Sequence, residues 1–401
     1  MTRRPLRDRL PLRADMLPPV GAAALALACA EFVRSGFYGA YLTQVVDTQF
    51  GLPVTAAAGA WTAHFVADTL MRGPAGALVL RLGLRPAMVG GALLSAGALA
   101  LLLLPISVWV LIAAAVLHGL GFAALWPGTL SLVTEAAREG YQGRALTLVT
   151  TSVMGLSGLG FFVFGALAAR GDSFALGLAQ GLLLLSLVLT LAVPRRLALA
   201  TPAGAEAASA ARPRSFVAGL LPLLPAAFMQ TLTLTLLGPW LFRIAPQMGL
   251  SYWGLVGLLV VGGGVAYGLM PLTGRFADRG RARTGVMLGY ALVSAGFVGF
   301  ALTPAPWLLY GLALVAGLGY AFLTPGWAAL VSQVLPPAQR PAAWGILMTA
   351  ENAGLTLGPL VGALALKQAG VPGPFMVGAV LAALTASGYV VFRRAFHAAS
   401  T

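Results

Sequence analysis

Apolar runs of membrane-spanning length recur twelve times along this 401-residue chain, and they constrain its fold more than any other feature. They fall at about 17 to 43, 54 to 78, 86 to 104, 107 to 133, 143 to 169 and 173 to 193, then at 216 to 242, 252 to 274, 284 to 303, 306 to 332, 341 to 366 and 371 to 392. A helix needs roughly 20 mainly apolar residues to cross a bilayer, where backbone polar groups must be satisfied internally because no water is available. Twelve crossings leave room only for tails, short turns and one linker. The expected architecture is an all-α membrane protein of twelve transmembrane helices in two six-helix bundles, at 17–193 and 216–393. A basic tail occupies 1–16, a short tail 394–401, and the polar, Ala/Pro-rich stretch Pro194 to Ser215 reads as a flexible linker.

Composition excludes the main alternatives. Only 9% of residues are charged and 59% are hydrophobic, whereas a soluble domain carries roughly 25% charged residues. An ordinary soluble enzyme or nucleic-acid binder is therefore ruled out. The net charge of +14 reads as topology, because the basic residues sit in short segments between apolar runs rather than on one surface. With loops assigned alternately to two sides, twenty Arg fall on the side of both termini, and Arg170, Arg243 and Lys367 fall on the other. Both termini are expected in the cytoplasm, in a cell membrane. One cysteine and three histidines leave no disulfide and no metal site, and no cofactor is expected. Cys29 is expected to be a core residue and not a lipidation site, since Ala26-Leu27-Ala28 lack the Leu usual three residues before such a cysteine. No G-x-x-x-x-G-K-[ST] loop is present, so ATP is not expected to drive the protein.

The chain also repeats itself. GLGFAALWPGTLSLV from Gly119 and GLGYAFLTPGWAALV from Gly317 agree at nine of fifteen positions with an offset of 198. That offset superposes Gly76, Arg81 and Arg85 on Gly274, Arg279 and Arg283. Two independent matches at half the chain length mean a duplicated six-helix unit, which makes the two bundles pseudo-symmetric.

These segments resemble the major facilitator superfamily of secondary transporters. GRFADRGRAR, from Gly274 to Arg283, is similar to the family's loop signature between its second and third helices, in the second-half copy. The resemblance implies a gating role for Gly76, Arg81, Arg85, Gly274, Asp278, Arg279 and Arg283. The first copy, GALVLRLGLR from Gly76, has Leu80 where the family usually has an acid. GLTLGPLVG, from Gly354 to Gly362, is similar to the family's glycine-proline motif, and the equivalent stretch of the fifth helix has Phe161 in the proline's place. Within the superfamily the chain resembles the proton-coupled flippases that move the glycolipid anchor of lipoteichoic acid. That likeness rests on EFVR at Glu31 to Arg34, AHFVAD at Ala63 to Asp68, Trp126-Pro127, Trp344-Gly345 and Gly358-Pro359.

Charges inside a bilayer cost roughly 2.5–3.5 kcal/mol each on insertion scales, so their positions are informative. Glu31 and Arg34 lie one turn apart in the first helix. His64, Asp68 and Arg72, at spacings of four, share one stripe of the second. Asp68, Glu31, His64 and Arg72 are the candidates for proton coupling, Asp68 first, against the alternative of a self-satisfied buried network. His118 is expected to be a satisfied polar residue. Substrate candidates are Glu31, Arg34, Trp126, Gln230, Glu351 and Asn352, Trp126 because the flippase likeness implies an indole stacked on a sugar. The third, sixth, ninth and twelfth helices carry no charge in their interiors, and the second half is nearly all apolar apart from Glu351.

The expected function is alternating-access transport, with proton-coupled antiport, as export or flipping, of an amphipathic substrate such as a glycolipid. The alternative is a proton-coupled multidrug or small-metabolite exporter. An intramembrane enzyme would need a nucleophile and base at one cavity, and neither His64 nor His118 has a Ser or Cys partner by spacing; a non-transporting receptor is the remaining option. The expected partners are the lipid bilayer, the substrate and protons, with no nucleic acid, and the chain is expected to act as a monomer.

Overall fold

The computed structural model describes residues 11–139, 141–170, 174–195, 220–221, 223–302, 305–334 and 340–393. The first ten residues, the expected tail at 394–401 and the expected linker beyond Arg195 lie outside the described residues, as do the side chains of Leu80 and Trp344. The chain divides into two compact units, Met1–Ala203 and Gly204–Thr401.

Among the described residues, twelve helical segments follow one another. Unit 1 holds α1 (Ala14–Val45), α2 (Val54–Leu82), α3 (Leu84–Leu103), α4 (Val108–Ala136), α5 (Gln142–Arg170) and α6 (Phe174–Thr190). Unit 2 holds α7 (Leu223–Leu237, extended by short turns to Met248), α8 (Tyr252–Phe276), α9 (Ala282–Ala301), α10 (Pro306–Val334), α11 (Arg340–Ala369) and α12 (Pro372–Val391). Among the described residues, seven helical stretches are long and apolar enough in themselves to cross a membrane, one of them running through α8 and α9. Outside that set are α2 and α11, which carry Asp68, Arg72 and Glu351, α6, which is apolar but only 17 residues long, and α7, which Gly238 and Pro239 interrupt.

Local chemistry starts and bends these helices where it should. Ser107 and Ser251 cap α4 and α8, their hydroxyls accepting from the amides of Val110 at 3.2 Å and Gly254 at 3.1 Å. Two features were not expected. The first helix is not uniform, because Arg34–Tyr41 form a π segment, a wider turn that re-aims the side chains it carries. The loop expected after residue 274 is instead a continuation of α8 into a kink at Arg279 and Gly280, whose φ of 78° is left-handed.

The units repeat each other in packing. In unit 1, α1 lies against α5 and α6, α2 and α3 against α4, and α3 against α6. Unit 2 repeats each pairing six helices later, with α7 on α11 and α12, α8 and α9 on α10, and α9 on α12. The glycine-proline motif explains the closest of these. Gly354, Gly358 and Gly362 form a row at spacings of four on α11, and a Cβ on any of them would run into α7 at Phe228, Leu232 or Leu236. Small residues in such a row let two backbones meet without a polar partner. Trp240 Nε1 donates to the carbonyl of Pro359 at 3.0 Å and closes the same seam.

Candidate functional site

Unit 1 holds a ladder of four paired charges, its two acids buried and its two arginines half-buried. Glu31 and Asp68 are each about 1% exposed. Arg34 grips Glu31 with two hydrogen bonds, Nε to Oε2 at 3.0 Å and Nη2 to Oε1 at 2.5 Å. Arg72 grips Asp68 in the same way, Nε to Oδ1 at 3.1 Å and Nη2 to Oδ2 at 2.8 Å. The two pairs meet where Arg34 Nη1 lies 3.6 Å from Asp68 Oδ2. Opposite charges at helical spacings of three and four form each pair, and the packing of α1 against α2 joins them. The ladder is neutral when both acids are ionised and gains one positive charge for each proton bound.

Aromatic rings hold this ladder in place. The Arg34 guanidinium lies over the rings of Phe65 and Phe122, 4.9 and 4.4 Å from their centroids. Trp126 Nε1 donates to Glu31 Oε1 at 2.6 Å, so the indole of α4 is anchored to an acid of α1. One turn from Arg34, Tyr38 shares a 3.1 Å hydrogen bond with Nδ1 of His118. The His64 ring centroid lies 4.8 Å from both the Tyr38 and the His118 rings. Gly119 permits this close approach of α2 and α4, since a Cβ there would meet the His64 carbonyl and the Ala67 side chain.

The expectation that His118 is satisfied holds for Nδ1 only. Its Nε2 and both ring nitrogens of His64 are buried without closing a hydrogen bond, and the Ala115 backbone faces the His64 ring outside regular hydrogen-bond geometry. Sequence reasoning did not connect Tyr38, Phe65, His118 and Phe122 to the charges. The available signal was that His118 directly precedes the repeated segment at Gly119, where the second copy has Ala316.

The second-half candidates are more scattered. Trp327 Nε1 donates to Glu351 Oε1 at 2.9 Å, and Thr231 Oγ1 donates to the Glu351 backbone carbonyl at 2.5 Å. Asn352 is half-buried beside Glu351, its carbonyl accepting from Thr356 Oγ1 at 2.6 Å. Gln230 is half-buried on α7. The gating candidates lie at helix ends: Gly76 and Gly274 are half-buried, while Arg81, Asp278 and Arg279 are exposed. Arg85 Nε donates to the carbonyl of Val193 at 2.5 Å, and Arg283 keeps Nη1 buried with no hydrogen bond.

Unit 2 contains a cavity of about 360 Å³, walled almost entirely by apolar side chains of α7 to α10 and α12. Its position in the repeat is informative. The 198-residue offset carries His64, Asp68, Arg72 and His118 onto Gly262, Ala266, Met270 and Ala316, and all four of these line the cavity. Where unit 1 places its polar cluster, unit 2 places small and apolar residues around open space.

Two repeated six-helix units of membrane-spanning helices, one with a paired-charge ladder in its interior, are the build of a multi-pass membrane transporter. The chain belongs to the Major Facilitator Superfamily, whose profile matches residues 23–307 and again 256–400. Its fold is similar to that of the human organic anion transporter MFSD10 (TETRAN), with a TM-score of 0.60 and 15% identity over 94% of this chain and 100% of that one. It is also similar to that of the nucleoside transporter NupG, with a TM-score of 0.68 and 14% identity over 92% and 99%. In sequence, the chain is 30% identical over 134 residues to the multidrug resistance protein MdtH of Klebsiella pneumoniae subsp. pneumoniae, a match to 31% of this chain and 33% of that protein. MdtH of Shigella boydii serotype 4 is 31% identical over 134 residues, covering 31% and 34%. The match thus spans about one third of the length of these curated relatives.

Proposed function

We propose that the protein is a proton-coupled secondary transporter that exports or flips an amphipathic substrate across the cell membrane by alternating access. One observation carries this reading: the repeat offset turns the polar positions 64, 68, 72 and 118 of unit 1 into the walls of the apolar cavity of unit 2. The two units thus offer different chemistry, charged in unit 1 and apolar in unit 2, and an amphipathic substrate such as a glycolipid is the class that suits such a chain. Asp68 is the coupling acid, because each proton it binds leaves Arg72 and Arg34 with unbalanced charge and so changes both the affinity for a headgroup and the cost of an occluded, dry state. Glu31 and Arg34 contact the headgroup with Trp126, and His64 passes protons to Asp68. Glu351, Asn352 and Gln230 complete the substrate contacts in unit 2, and the kinked segment at Asp278 to Arg283 gates the side of the termini. Both termini lie in the cytoplasm, where twenty arginines have accumulated, and the chain works as a monomer.

Relatedness to multidrug resistance proteins supports a second reading, a proton-coupled drug exporter in which the same cavity takes a lipophilic drug. One assay separates the two. Proteoliposomes containing the full chain are given a fluorescent glycolipid or a panel of lipophilic drugs, with and without an imposed pH gradient. The flippase reading expects glycolipid movement to rise with the gradient and to be lost in Asp68→Asn, and gradient-driven movement of the drugs alone favours the exporter. Full gradient-driven transport by Asp68→Asn would overturn the coupling role of that residue in either reading.

A further inference from the structure

We propose that Tyr38, His118 and His64 form a proton inlet, leading to Asp68 from the end of unit 1 remote from the chain terminus. The proposal rests on the reading of Asp68 as the coupling acid and adds the route by which its proton arrives. Its basis is the order of groups along three helices. On α1, running away from the N-terminus, come Glu31, Arg34, Tyr38 and Tyr41; on α2, running back, come His64, Asp68 and Arg72. The contacts fix the levels. Tyr38, His64 and His118 share one, and Arg34 with Phe65, Phe122 and Asp68 comes next. Arg72, one turn beyond Asp68, lies furthest toward the terminus side. One turn beyond Tyr38 on the other side, the Tyr41 hydroxyl donates to Oε1 of the exposed Gln49 at 3.1 Å, so hydroxyl groups continue toward the surface.

Buried ring nitrogens on two neighbouring histidines that close no regular hydrogen bond need a reason, because an unsatisfied buried polar atom costs stability. A pair of aromatic side chains would pack in the same space without that cost. Two imidazoles at 4.8 Å between centroids, with ring nitrogens that close no regular hydrogen bond and one of them a helical turn before Asp68, have the composition of a relay. The route balances in protons. Tyr38 takes a proton on its oxygen as it gives its own to Nδ1 of His118. His118 then releases the proton of Nε2 to one ring nitrogen of His64, and His64 releases the proton of its other nitrogen to the Asp68 carboxylate. One proton has moved, each imidazole is neutral again with its tautomer exchanged, and ring rotation restores the start. The charged and titratable groups around the pair are Glu31 and Arg34 on α1 and Asp68 and Arg72 on α2. On α3, which packs against α4, Arg85 near the opposite end is the one charged residue.

The test follows the proton directly. The full chain in lipid nanodiscs receives a rapid acid jump while infrared absorption reports the protonated carboxyl of Asp68, assigned by its loss in Asp68→Asn. In His64→Gln and in His118→Gln the band is expected to reach its wild-type amplitude and midpoint, but to rise about tenfold or more slowly. Tyr38→Phe, which keeps the ring packing, is expected to slow it by a smaller factor. Imidazole added to His118→Ala is expected to recover the rate. A wild-type rate in the histidine variants overturns the inlet, and so does a shifted midpoint at unchanged rate, which is the signature of a merely electrostatic neighbour. Failure of imidazole to accelerate a slow His118→Ala variant also overturns it. If the wild type shows no band that depends on Asp68, the coupling role of Asp68 falls and the inlet with it, an outcome distinct from a slow-rising or fast-rising band.

Discussion

The indole Nε1 of Trp327 donates a 2.9 Å hydrogen bond to Oε1 of the half-buried Glu351, joining α10 to α11 in unit 2. Unit 1 has an indole on an acid as well, Trp126 on Glu31, but the two are not copies. The repeat offset carries Trp126 to Thr324 and brings Trp327 back to Thr129, and the acids lie on α1 and α11, which do not correspond. Each half has arrived separately at an N–H donor that neither adds charge nor neutralises the carboxylate. In each half the indole holds the acid in place without adding charge.

This arrangement predicts different outcomes for the two ends of the bond. Glu351→Gln keeps an acceptor oxygen for Trp327, so the thermal midpoint of the detergent-solubilised protein should barely move. Trp327→Phe leaves a half-buried carboxylate with one donor fewer and should cost about 1–3 kcal/mol. Matched unfolding scans at one heating rate measure both, and equal losses in the two variants would contradict the account.

The ladder of unit 1 predicts non-additivity. Arg34→Met removes both guanidinium donors and leaves only the Trp126 indole on Glu31, an acid 1% exposed, and breaking a buried pair from one side costs roughly 3–5 kcal/mol. Combining it with Glu31→Gln removes the stranded charge, while Asp68 keeps Arg72 in both proteins. The double variant should therefore be more stable than the Arg34→Met single variant, by thermal midpoint. A double variant as unstable as the sum of its parts would mean that the two side chains do not act as a pair.

How far the sequence reached is visible in this same ladder. Spacings of three and four sufficed to pair Glu31 with Arg34 and Asp68 with Arg72, because those contacts are properties of a single helix. The link between the pairs, the seat of Arg34 between Phe65 and Phe122, and the bond from Trp126 depend on how α1, α2 and α4 pack, and no periodicity encodes that. Apolar run lengths located most helices to within a few residues, the exception being the seventh, expected at 216 to 242 and found as Leu223–Leu237 with turns to Met248, yet gave no sign that Arg34–Tyr41 widens into a π segment. The glycine-proline motif was legible as a family signature, while its physical task, a row facing α7, required the partner helix.

That row makes a prediction of its own. A Cβ at Gly358 would meet Thr235 Oγ1 and come within 2.9 Å of the Leu232 carbonyl. Gly358→Ala should thus force α11 away from α7 and cost about 1–3 kcal/mol. Gly155 on α5 has nothing within 4 Å of the corresponding position, so Gly155→Ala, which gains helix propensity, should leave the midpoint unchanged or raise it. Similar losses at both sites would show that the cost comes from something other than the α7–α11 seam.

A final prediction concerns the segment before α1, which pairs with the turn after α4. Leu12 and Ala137 form an antiparallel bridge, flanked by hydrogen bonds from the Arg13 amide to the Ala136 carbonyl at 2.9 Å and from the Arg138 amide to the Pro11 carbonyl at 3.0 Å. Arg138 Nε adds a bond to the Leu12 carbonyl at 3.2 Å, and the Leu12 side chain is 4% exposed. In such a bridge the amides of the two facing residues point away from the partner, and those of the next residues point toward it. Hydrogen exchange should accordingly be slow at Arg13 and Arg138 and fast at Leu12 and Ala137. Leu12→Asp would place a charge where the strap buries a leucine, and should bring Arg13 and Arg138 up to the fast rates. Arg138→Ala removes the side-chain bond to the Leu12 carbonyl and leaves the backbone pair, so it should change them less than Leu12→Asp does. Uniformly fast exchange in the wild type would show that the strap is open in solution, and protected amides in Leu12→Asp would show that the leucine does not hold it.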